Sequence, residues 1–524
     1  MTEDAHAALV AALDSGEPFA AEEVERIDTH AARVFLVGDR AFKLKRPVHF
    51  SFLDFSTVEA RYRALASELT LNRRTAPDLY LRLVAVVRAG DGYALVPTDD
   101  PDSAEPAGEI VDWLLEMRRF PQEQKLDRIA AAGPLEPALA RELGRVVADF
   151  HRAVEPRLDK GGHAAMSAVV AGNREDLDAA LDGVFAPDDV EAVDRAARAA
   201  LARRRFTLDA RRAAGLVRHC HGDLHLGNIV RLASGVVPFD CIEFDEDIAC
   251  IDTMYDLAFL LMDLLERDQR LAAWTVLDAY LEAVDDLDGV GLLPFFMAVR
   301  ATIRAKVIGL GIRDLDADGP KVATARRYLG FARALLPAPQ PRLVAVGGFS
   351  GTGKTTLARA LAPAFDPAPG AVVLRSDVER KRLWGVALTE PLPQAAYAPA
   401  VSAQVFEHLR ARAQRALDAG ASVVVDAVHG RAAERDAVAE VAHGCGVRFD
   451  GLWLEAPVER LVERVRARRG DASDADEAVA RAQLESEPGP IRWRRLDAAV
   501  AADGLVERAR DALDLEARVL ADPD

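Results

Sequence analysis

The chain has 524 residues, enough for roughly three or four average domains or for two larger α/β ones. Its 66 basic and 84 acidic residues leave a formal charge of −18, so the average surface repels phosphate polymers and anionic membranes, which disfavours nucleic acid as a partner. Cys220, Cys241, Cys250 and Cys445 form no CxxC and no zinc spacing, Met1-Thr2-Glu3-Asp4 lacks the basic-then-apolar order of a secretion signal, and no uncharged apolar run reaches the roughly 18 residues of a membrane span; a reduced, soluble, cytoplasmic protein is expected.

In chain order, Arg33 to Lys45 reads as two strands around a Gly38-Asp39 turn, a hairpin whose second strand carries Lys43 and Lys45 on one face. A helix is predicted from Ser56 to Asn72, with Leu65, Leu69 and Leu71 at helical spacing and with Glu59 and Glu68 along it. Val84–Val87 and Tyr93–Val96 form a second hairpin around Gly90-Asp91-Gly92, and Trp113 to Phe120 is a further run that contains Met117. From about Leu135 to Leu336 the pattern is helical, interrupted by short strands around His221 and Phe239. The first 336 residues thus read as a strand-rich lobe, about 30–115, followed by a helical lobe, about 120–336.

His221-Gly222-Asp223-Leu224-His225-Leu226-Gly227-Asn228 contains HxDxxxxN, and Asp240 follows Asp223 by 17 residues at the end of Val236-Val237-Pro238-Phe239-Asp240. That is the order of a kinase catalytic loop followed by a metal-binding aspartate. Phosphoryl transfer needs one carboxylate to orient or deprotonate the acceptor hydroxyl, then an amide oxygen and a second carboxylate to hold Mg²⁺. Hard oxygen ligands suit Mg²⁺, so a zinc reading of His219, His221 and His225 is weak.

These motifs resemble the aminoglycoside phosphotransferase family, protein-kinase-like enzymes that phosphorylate small-molecule hydroxyls, over about residues 30–335. The resemblance implies an α+β bilobal fold, Asp223 as catalytic base or orienting residue, and Asn228 and Asp240 as Mg²⁺ ligands. It also implies a strand lysine on the ATP phosphates, Lys43 or its neighbour Lys45, paired with Glu68 or else Glu59. Met117 falls where the family contacts adenine, with a buried connector as the other reading. Asp252, in Ile251-Asp252-Thr253-Met254-Tyr255-Asp256, matches a segment packed behind the catalytic loop. Gly38 alone stands where a protein kinase has GxGxxG, and Gly222 stands where it has Arg, so a protein kinase proper is disfavoured. Arg300, Arg304, Lys306 and the acidic Glu243, Asp245, Glu246 and Asp247 are candidates for the acceptor side, with a solvated charged face as the alternative.

The prolines of Pro337-Ala338-Pro339-Gln340-Pro341 stop a helix and favour an extended spacer, so a linker is placed at 337–341 and a second domain at 342–524. There Leu343-Val344-Ala345-Val346 leads into Gly348-Phe349-Ser350-Gly351-Thr352-Gly353-Lys354-Thr355, a full GxxxxGK[ST] phosphate loop, and a helix opens at Thr356. Glycines let backbone N–H groups close on phosphate, Lys354 reaches the outer phosphates, and the Thr355 hydroxyl ligates Mg²⁺. Val372–Arg375 is a strand that ends at Asp377 and Arg380, and Val423–Asp426 is a buried parallel strand followed by Arg431 and Arg435. Arg464 and Arg468 share a helix face at i, i+4, where a solvated basic face is the alternative reading.

This order of pieces resembles the P-loop small-molecule kinases, including gluconate kinase, polynucleotide 5′-hydroxyl kinases and zeta-type toxins, with AAA-type ATP binding on a three-layer α/β fold. The likeness makes Asp377 the residue that activates the acceptor, though it also fits a helix cap, and Arg380 and Arg431 acceptor contacts. It places Asp426 near Mg²⁺ and gives Arg464 and Arg468 to a lid. The leading expectation is a bifunctional ATP- and Mg²⁺-dependent phosphotransferase acting on small-molecule hydroxyls such as aminoglycosides or sugars. The alternatives are a nucleotide-driven regulatory ATPase in which one module senses ATP, and a 5′-hydroxyl polynucleotide kinase in the C-terminal module. No protein partner is identifiable from the motifs.

Overall fold

The computed structural model describes residues 3–29, 31–50, 53–98, 108–180, 182–312, 316, 319–338, 340–467, 472–475, 477, 478, 481, 483 and 488–515. Contacts divide the chain into two compact units, residues 1–166 with 205–263 and residues 167–204 with 264–524. No described helix is long and apolar enough to cross a membrane.

The first unit is built on a six-stranded antiparallel sheet in the order Glu25–Asp28, Ala32–Val37, Arg40–Lys45, Ile110–Arg118, Tyr80–Ala89, Gly92–Thr98. Successive strand side chains point to opposite faces, so both faces can be apolar. Val84, Val86 and Leu114 pack with Phe35 and Leu44 under Leu9 and Leu13 of the helix Glu3–Asp14. Leu83, Ala85, Val87, Trp113 and Leu115 pack on the other side with Leu65 and Leu69. Those two leucines belong to the helix Val58–Asn72, which is capped by the Thr57 hydroxyl and buries Arg61, Ala64, Leu65, Glu68, Leu69 and Asn72 along one stripe. Arg61 and Asp112, both without exposed surface, fasten this helix to the sheet through Nε–Oδ1 at 2.9 Å and an η nitrogen to Oδ2 at 2.8 Å.

Two short antiparallel pairs carry the chemistry of this unit. Val217–His219 pairs with Cys250–Asp252, and Ile229–Leu232 pairs with Gly235–Pro238. The catalytic-loop sequence connects the first pair to the second, and Asp240 follows the last strand directly.

The second unit contains a five-stranded parallel sheet in the order Val372–Arg375, Val423–Asp426, Arg342–Gly347, Arg448–Glu455, Arg494–Asp497. The α+β first module and the parallel-sheet α/β second module expected from the sequence are both present. Its core joins Val344, Val346, Val424, Leu452 and Leu454 to Leu357, Leu361, Phe365 and Leu505. The helices Pro187–Arg203, Leu293–Leu310 and Pro320–Leu335 belong to the same unit.

The division between units falls away from the proline run at 337–341, and one side chain shows why. Trp274, on the helix Arg270–Ala283, is 3% exposed and sits inside the P-loop core, where its Nε1–H donates to Ala371 O at 2.9 Å. Arg359 on the helix after the phosphate loop reaches back to Glu282 at 2.9 Å, and Arg415 reaches Asp288 at 2.7 Å. Trp274→Ala is expected to cost about 3–5 kcal/mol in chemical unfolding of the P-loop unit, the range for emptying a large aromatic site. Trp274→Phe, which keeps most of the volume and loses the bond to Ala371, is expected to cost roughly 1 kcal/mol from that bond.

Candidate active sites

In the first unit, the period of two along Arg40–Lys45 turns Lys43 and Lys45 to one face, and Glu68 meets both. Glu68 Oε1 lies 2.6 Å from Lys43 Nζ, and its Oε2 lies 2.6 Å from Lys45 Nζ. Both lysines of the sequence alternative therefore engage the same carboxylate, whereas Glu59 is exposed in the first turn of the helix. Lys43 Nζ is also 2.7 Å from Asp240 Oδ1. Burial acts to neutralise both partners, but the contact prevails: Asp240 and Glu68 hold the Lys43 ammonium well above its ordinary value, and Lys43 holds the Asp240 carboxyl below its own. Asp240 has a left-handed backbone, φ 62°, and its N–H donates to the Tyr80 hydroxyl at 3.0 Å.

The catalytic loop faces the same cavity, of about 380 Å³, which is lined by Lys43, Lys45, Met117, Asp223, Phe239 and Asp240 among others. Asn228 Nδ2 donates to Asp223 Oδ2 at 2.8 Å and to Asp223 O at 3.1 Å. With its nitrogen so engaged, Asn228 offers Oδ1 as an acceptor, and with the Asp240 carboxylate it makes a hard-oxygen set that fits Mg²⁺. The three histidines do not form such a set: His221 Nε2–H donates to Phe239 O at 3.0 Å, and burial lowers its basicity. Gly222 adopts φ 82°, and a Cβ there would stand 3.2 Å from Ile242 Cδ1, so a side chain at the position that holds Arg in protein kinases would be strained here and would press on Ile242.

Asp256 positions this loop from behind. It accepts the N–H groups of His221 at 3.1 Å and Gly222 at 2.9 Å, and His151 Nε2 lies 3.0 Å from the same carboxylate. Asp252 instead pairs with Arg211 at 2.7 Å, so the segment lies where the sequence put it while the loop contact belongs to its other aspartate. The Asp-x-x-x-Asp spacing on an emerging helix was the available signal. His151, Cys220 and Asp256 offer ligand atoms within 4.8 Å of one another, but the Asp256 carboxylate is already engaged with the loop amides.

The acidic acceptor-side candidates are taken up locally. Glu243 pairs with Lys45 at 2.5 Å, Glu246 with Arg157 at 3.0 Å and Asp247 with Lys160 at 2.6 Å, while Asp245 caps a short helix. Arg300 is buried, Arg304 lies 5.8 Å over the Tyr328 ring, and Lys306 pairs with Asp176 at 2.6 Å.

In the second unit the polar residues gather at the carboxyl ends of the parallel strands, where open α/β sheets bind ligands. Gly351 and Gly353 both have φ 88°, and Gly353 is the N-cap of the helix Lys354–Leu361. This geometry turns loop amides toward an anion at a helix N-terminus. Gly348, φ 138°, donates its N–H to Val428 O at 3.1 Å and lies outside the cavity lining. The Thr355 hydroxyl donates to Asp426 Oδ2 at 2.5 Å, a hydroxyl and carboxylate pair that fits Mg²⁺. Burial raises the Asp426 carboxyl despite Lys354 and Arg375, the latter with Nε 3.5 Å from Oδ2.

One cavity of about 600 Å³ is lined by Ser350, Gly351, Thr352, Gly353, Lys354, Thr355, Thr356, Asp377, Arg380, Asp426 and Arg464. Leu357, Val500, Leu505 and Val506 make part of its wall apolar. The Asp377 carboxylate has no hydrogen-bond partner among the described residues, and the N-cap of its helix Ser376–Trp384 is Arg375, which removes the capping alternative. Arg380 is 8% exposed, donates to Ala396 O at 2.6 Å and lies 4.8 Å over the Tyr397 ring, and its Nε has no hydrogen-bond partner among the described residues. Arg431 is brought elsewhere: it is the exposed N-cap of the helix Ala432–Gly444, outside the lining. Arg468 lies outside the described residues. Sequence reasoning missed Arg375, Tyr397 and Asp474; Asp474 binds buried Lys381 at 2.8 Å and accepts from the Tyr397 hydroxyl at 2.7 Å.

Residues 343–490 match the family described as an AAA domain. The uncharacterized protein Rv2004c of Mycobacterium tuberculosis is 31% identical over 495 residues, which cover 92% of this chain and 93% of the relative. Among solved structures, a sugar kinase from Janibacter sp. HTCC2649 is 24% identical, covers 35% of this chain and 100% of its own, and has a TM-score of 0.26. A choline/ethanolamine kinase family protein from Mesorhizobium loti is 15% identical, covers 63% of this chain and 95% of its own, and has a TM-score of 0.39.

His429, three residues past Asp426, is 1% exposed, has φ 49°, stands edge-on to Phe406 and Trp493, and finds no hydrogen-bond partner for either ring nitrogen among the described residues. Burial, reinforced by Lys354 and Arg435, lowers its pKa to about 3. A histidine depressed in the folded state favours folding above its unfolded pKa, about 6.5, and that advantage is lost as pH falls toward the folded value. Wild-type stability is therefore expected to fall below pH 6.5 more steeply than that of His429→Asn, by up to about 1.4 kcal/mol per pH unit. Urea unfolding of both proteins from pH 7 to pH 5 measures the difference; parallel curves would contradict a neutral, buried imidazole.

Proposed function

We propose that this chain, which belongs to the family of the mycobacterial protein Rv2004c and carries an AAA domain toward its C-terminal end, is a pair of ATP-dependent phosphotransferases, each transferring the γ-phosphoryl group to a hydroxyl of a small molecule. One observation supports it in both units: each has one cavity lined by a lysine and two carboxylates, Lys43, Asp223 and Asp240 in the first and Lys354, Asp377 and Asp426 in the second.

In the first unit Lys43 binds the α and β phosphates, and Asn228 and Asp240 are the residues that would hold the metal. Asp223, fixed by Asn228, orients the acceptor hydroxyl and takes its proton as the acceptor oxygen bonds to the γ phosphorus and the bond to the β–γ bridging oxygen breaks, releasing ADP. In the second unit the loop amides and Lys354 bind phosphate, Thr355 and Asp426 hold the metal, and unbonded Asp377 takes the acceptor proton. Arg380 grips the acceptor and Arg464 neutralises the charge on the transferring group. Mg²⁺, when bound at either set, neutralises charge between the phosphates. Lys381 already pairs with Asp474, leaving Asp377 and Arg380 as charged groups beside Tyr397, an arrangement suited to a small polyhydroxy acceptor such as a sugar, aminoglycoside or related alcohol.

Incubation with Mg²⁺-ATP and a panel of sugars, aminoglycosides, small alcohols and 5′-hydroxyl oligonucleotides, read by product mass, tests the assignment. Asp223→Asn is expected to lower formation of one product about 10²–10⁴-fold, the range for removing a general base. Lys354→Ala is expected to lower formation of another about 10²–10³-fold while sparing the first. ATP turnover with no phosphorylated product from any acceptor would replace this reading with a nucleotide-driven regulator.

A further inference from the structure

The upstream cavity contains a second buried lysine, which the transfer mechanism leaves without a task. Lys45 is 3% exposed, and its ammonium joins Glu68 Oε2 at 2.6 Å to Glu243 Oε1 at 2.5 Å. With the contacts of Lys43, the ion pairs run Asp240, Lys43, Glu68, Lys45, Glu243. The chain closes the circuit, because only Cys241 and Ile242 separate Glu243 from Asp240. The ring ties together the strand Arg40–Lys45, the helix Val58–Asn72 and the segment that carries Asp240. Its two lysines differ in what they can release: Lys43 touches the candidate metal ligand, whereas Lys45 does not.

We propose that Lys45 and Glu243 are positioning residues for metal and nucleotide in the first unit, holding Asp240 and Glu68 in place when Lys43 turns to phosphate. This rests on reading the site as a phosphotransferase. A polyphosphate recruits Lys43, and a metal recruits the Asp240 carboxylate, so the direct 2.7 Å contact between them gives way on loading. Glu68 then keeps Lys45, and the Asp240 segment stays tied to the sheet through Glu243. Asp240 needs such a tie because its left-handed backbone is one that residues with a side chain seldom adopt. Outer partners that orient metal ligands in this way typically account for 10–100-fold in metal affinity.

The test compares Lys45→Met/Glu243→Gln with its parent, both carrying Lys354→Ala to weaken the other nucleotide site. The double change removes the Lys45 and Glu243 charges together, so the net charge is unchanged and Glu68, which loses Lys45, keeps Lys43. Calorimetry of AMP-PNP binding across a Mg²⁺ series is the readout, with the thermal midpoint of the ligand-free protein beside it. The Mg²⁺ concentration for half-maximal binding is expected to rise at least about tenfold with the midpoint unchanged. Lys45→Arg, which keeps the cation, should restore the parental dependence. If the double variant does not fold, Glu243→Asp, which keeps the charge but shortens its reach, is expected to shift the same dependence. An unchanged Mg²⁺ requirement would reduce the pair to core filling and overturn the proposal. Parent binding that is insensitive to Asp240→Asn would instead remove the phosphotransferase reading of this site, and the proposal with it.

Discussion

A carboxylate with no exposed surface must be matched by cations or protonated, since an unpaired charge away from water is costly. Glu68 is such a group, and the upstream site is assembled around it. It lies on the same helix stripe as Arg61 and Asn72, and each of the three reaches a different element. Arg61 grips Asp112 on the central sheet, Glu68 takes two lysines of the neighbouring strand, and Asn72 accepts the N–H of Cys241 at 2.9 Å. One amphipathic helix therefore sets the register between the sheet and the metal-side segment, and its buried polar face does so with directional contacts that apolar packing would not supply.

In the second unit the constraint is the parallel sheet. Val423, Val424 and Val425 are buried as a continuous apolar strand, and the chain becomes polar at Asp426, where the strand ends. Neighbouring strands end in the phosphate loop and in the turn to Asp377, so parallel register alone brings Lys354, Asp377 and Asp426 to one edge. One helix upstream of the proline run, Arg270–Ala283, contributes to that core from outside the P-loop sequence. Trp274 enters it with its one polar atom bonded to a backbone carbonyl, which makes Arg270–Ala283 part of the downstream fold although it lies far from the phosphate loop in sequence.

The parts legible in the sequence were those in which a local backbone shape and a chemical function need the same residues. The phosphate loop, HxDxxxxN with its following aspartate, both hairpins and the strands that end at Arg375 and Asp426 are of this kind. The rest depended on contacts between distant segments. Strand periodicity could not choose between Lys43 and Lys45, because both face Glu68 and only the contact with distant Asp240 sets Lys43 apart. Asp252 and Asp256 differ by a single helical turn, and only the position of the loop amides identifies Asp256 as their acceptor. Arg431 followed the right strand, yet its place as a helix N-cap leaves it outside the cavity. The helix Glu3–Asp14 was not foreseen at all, because its role is to cover one face of a sheet that forms later in the chain.

The two sites share an electrostatic arrangement despite unrelated folds. In each, the candidate metal carboxylate already has a resident cation of the protein nearby: Lys43 stands 2.7 Å from Asp240, and Arg375 stands 3.5 Å from Asp426. The compensation is unequal: Lys43 holds the Asp240 carboxyl below its ordinary value, whereas burial still raises that of Asp426 despite Arg375 and Lys354. On the proposed reading, loading of either site is an exchange of partners: the carboxylate passes from a protein cation to the metal, and in the first unit the freed lysine passes to phosphate. Such an exchange keeps charge balanced at each step, so ordering the site need not wait for the nucleotide. The residues that stay paired throughout, Glu68 with Lys45 upstream and Lys381 with Asp474 downstream, are then the fixed frame against which the exchanging groups move.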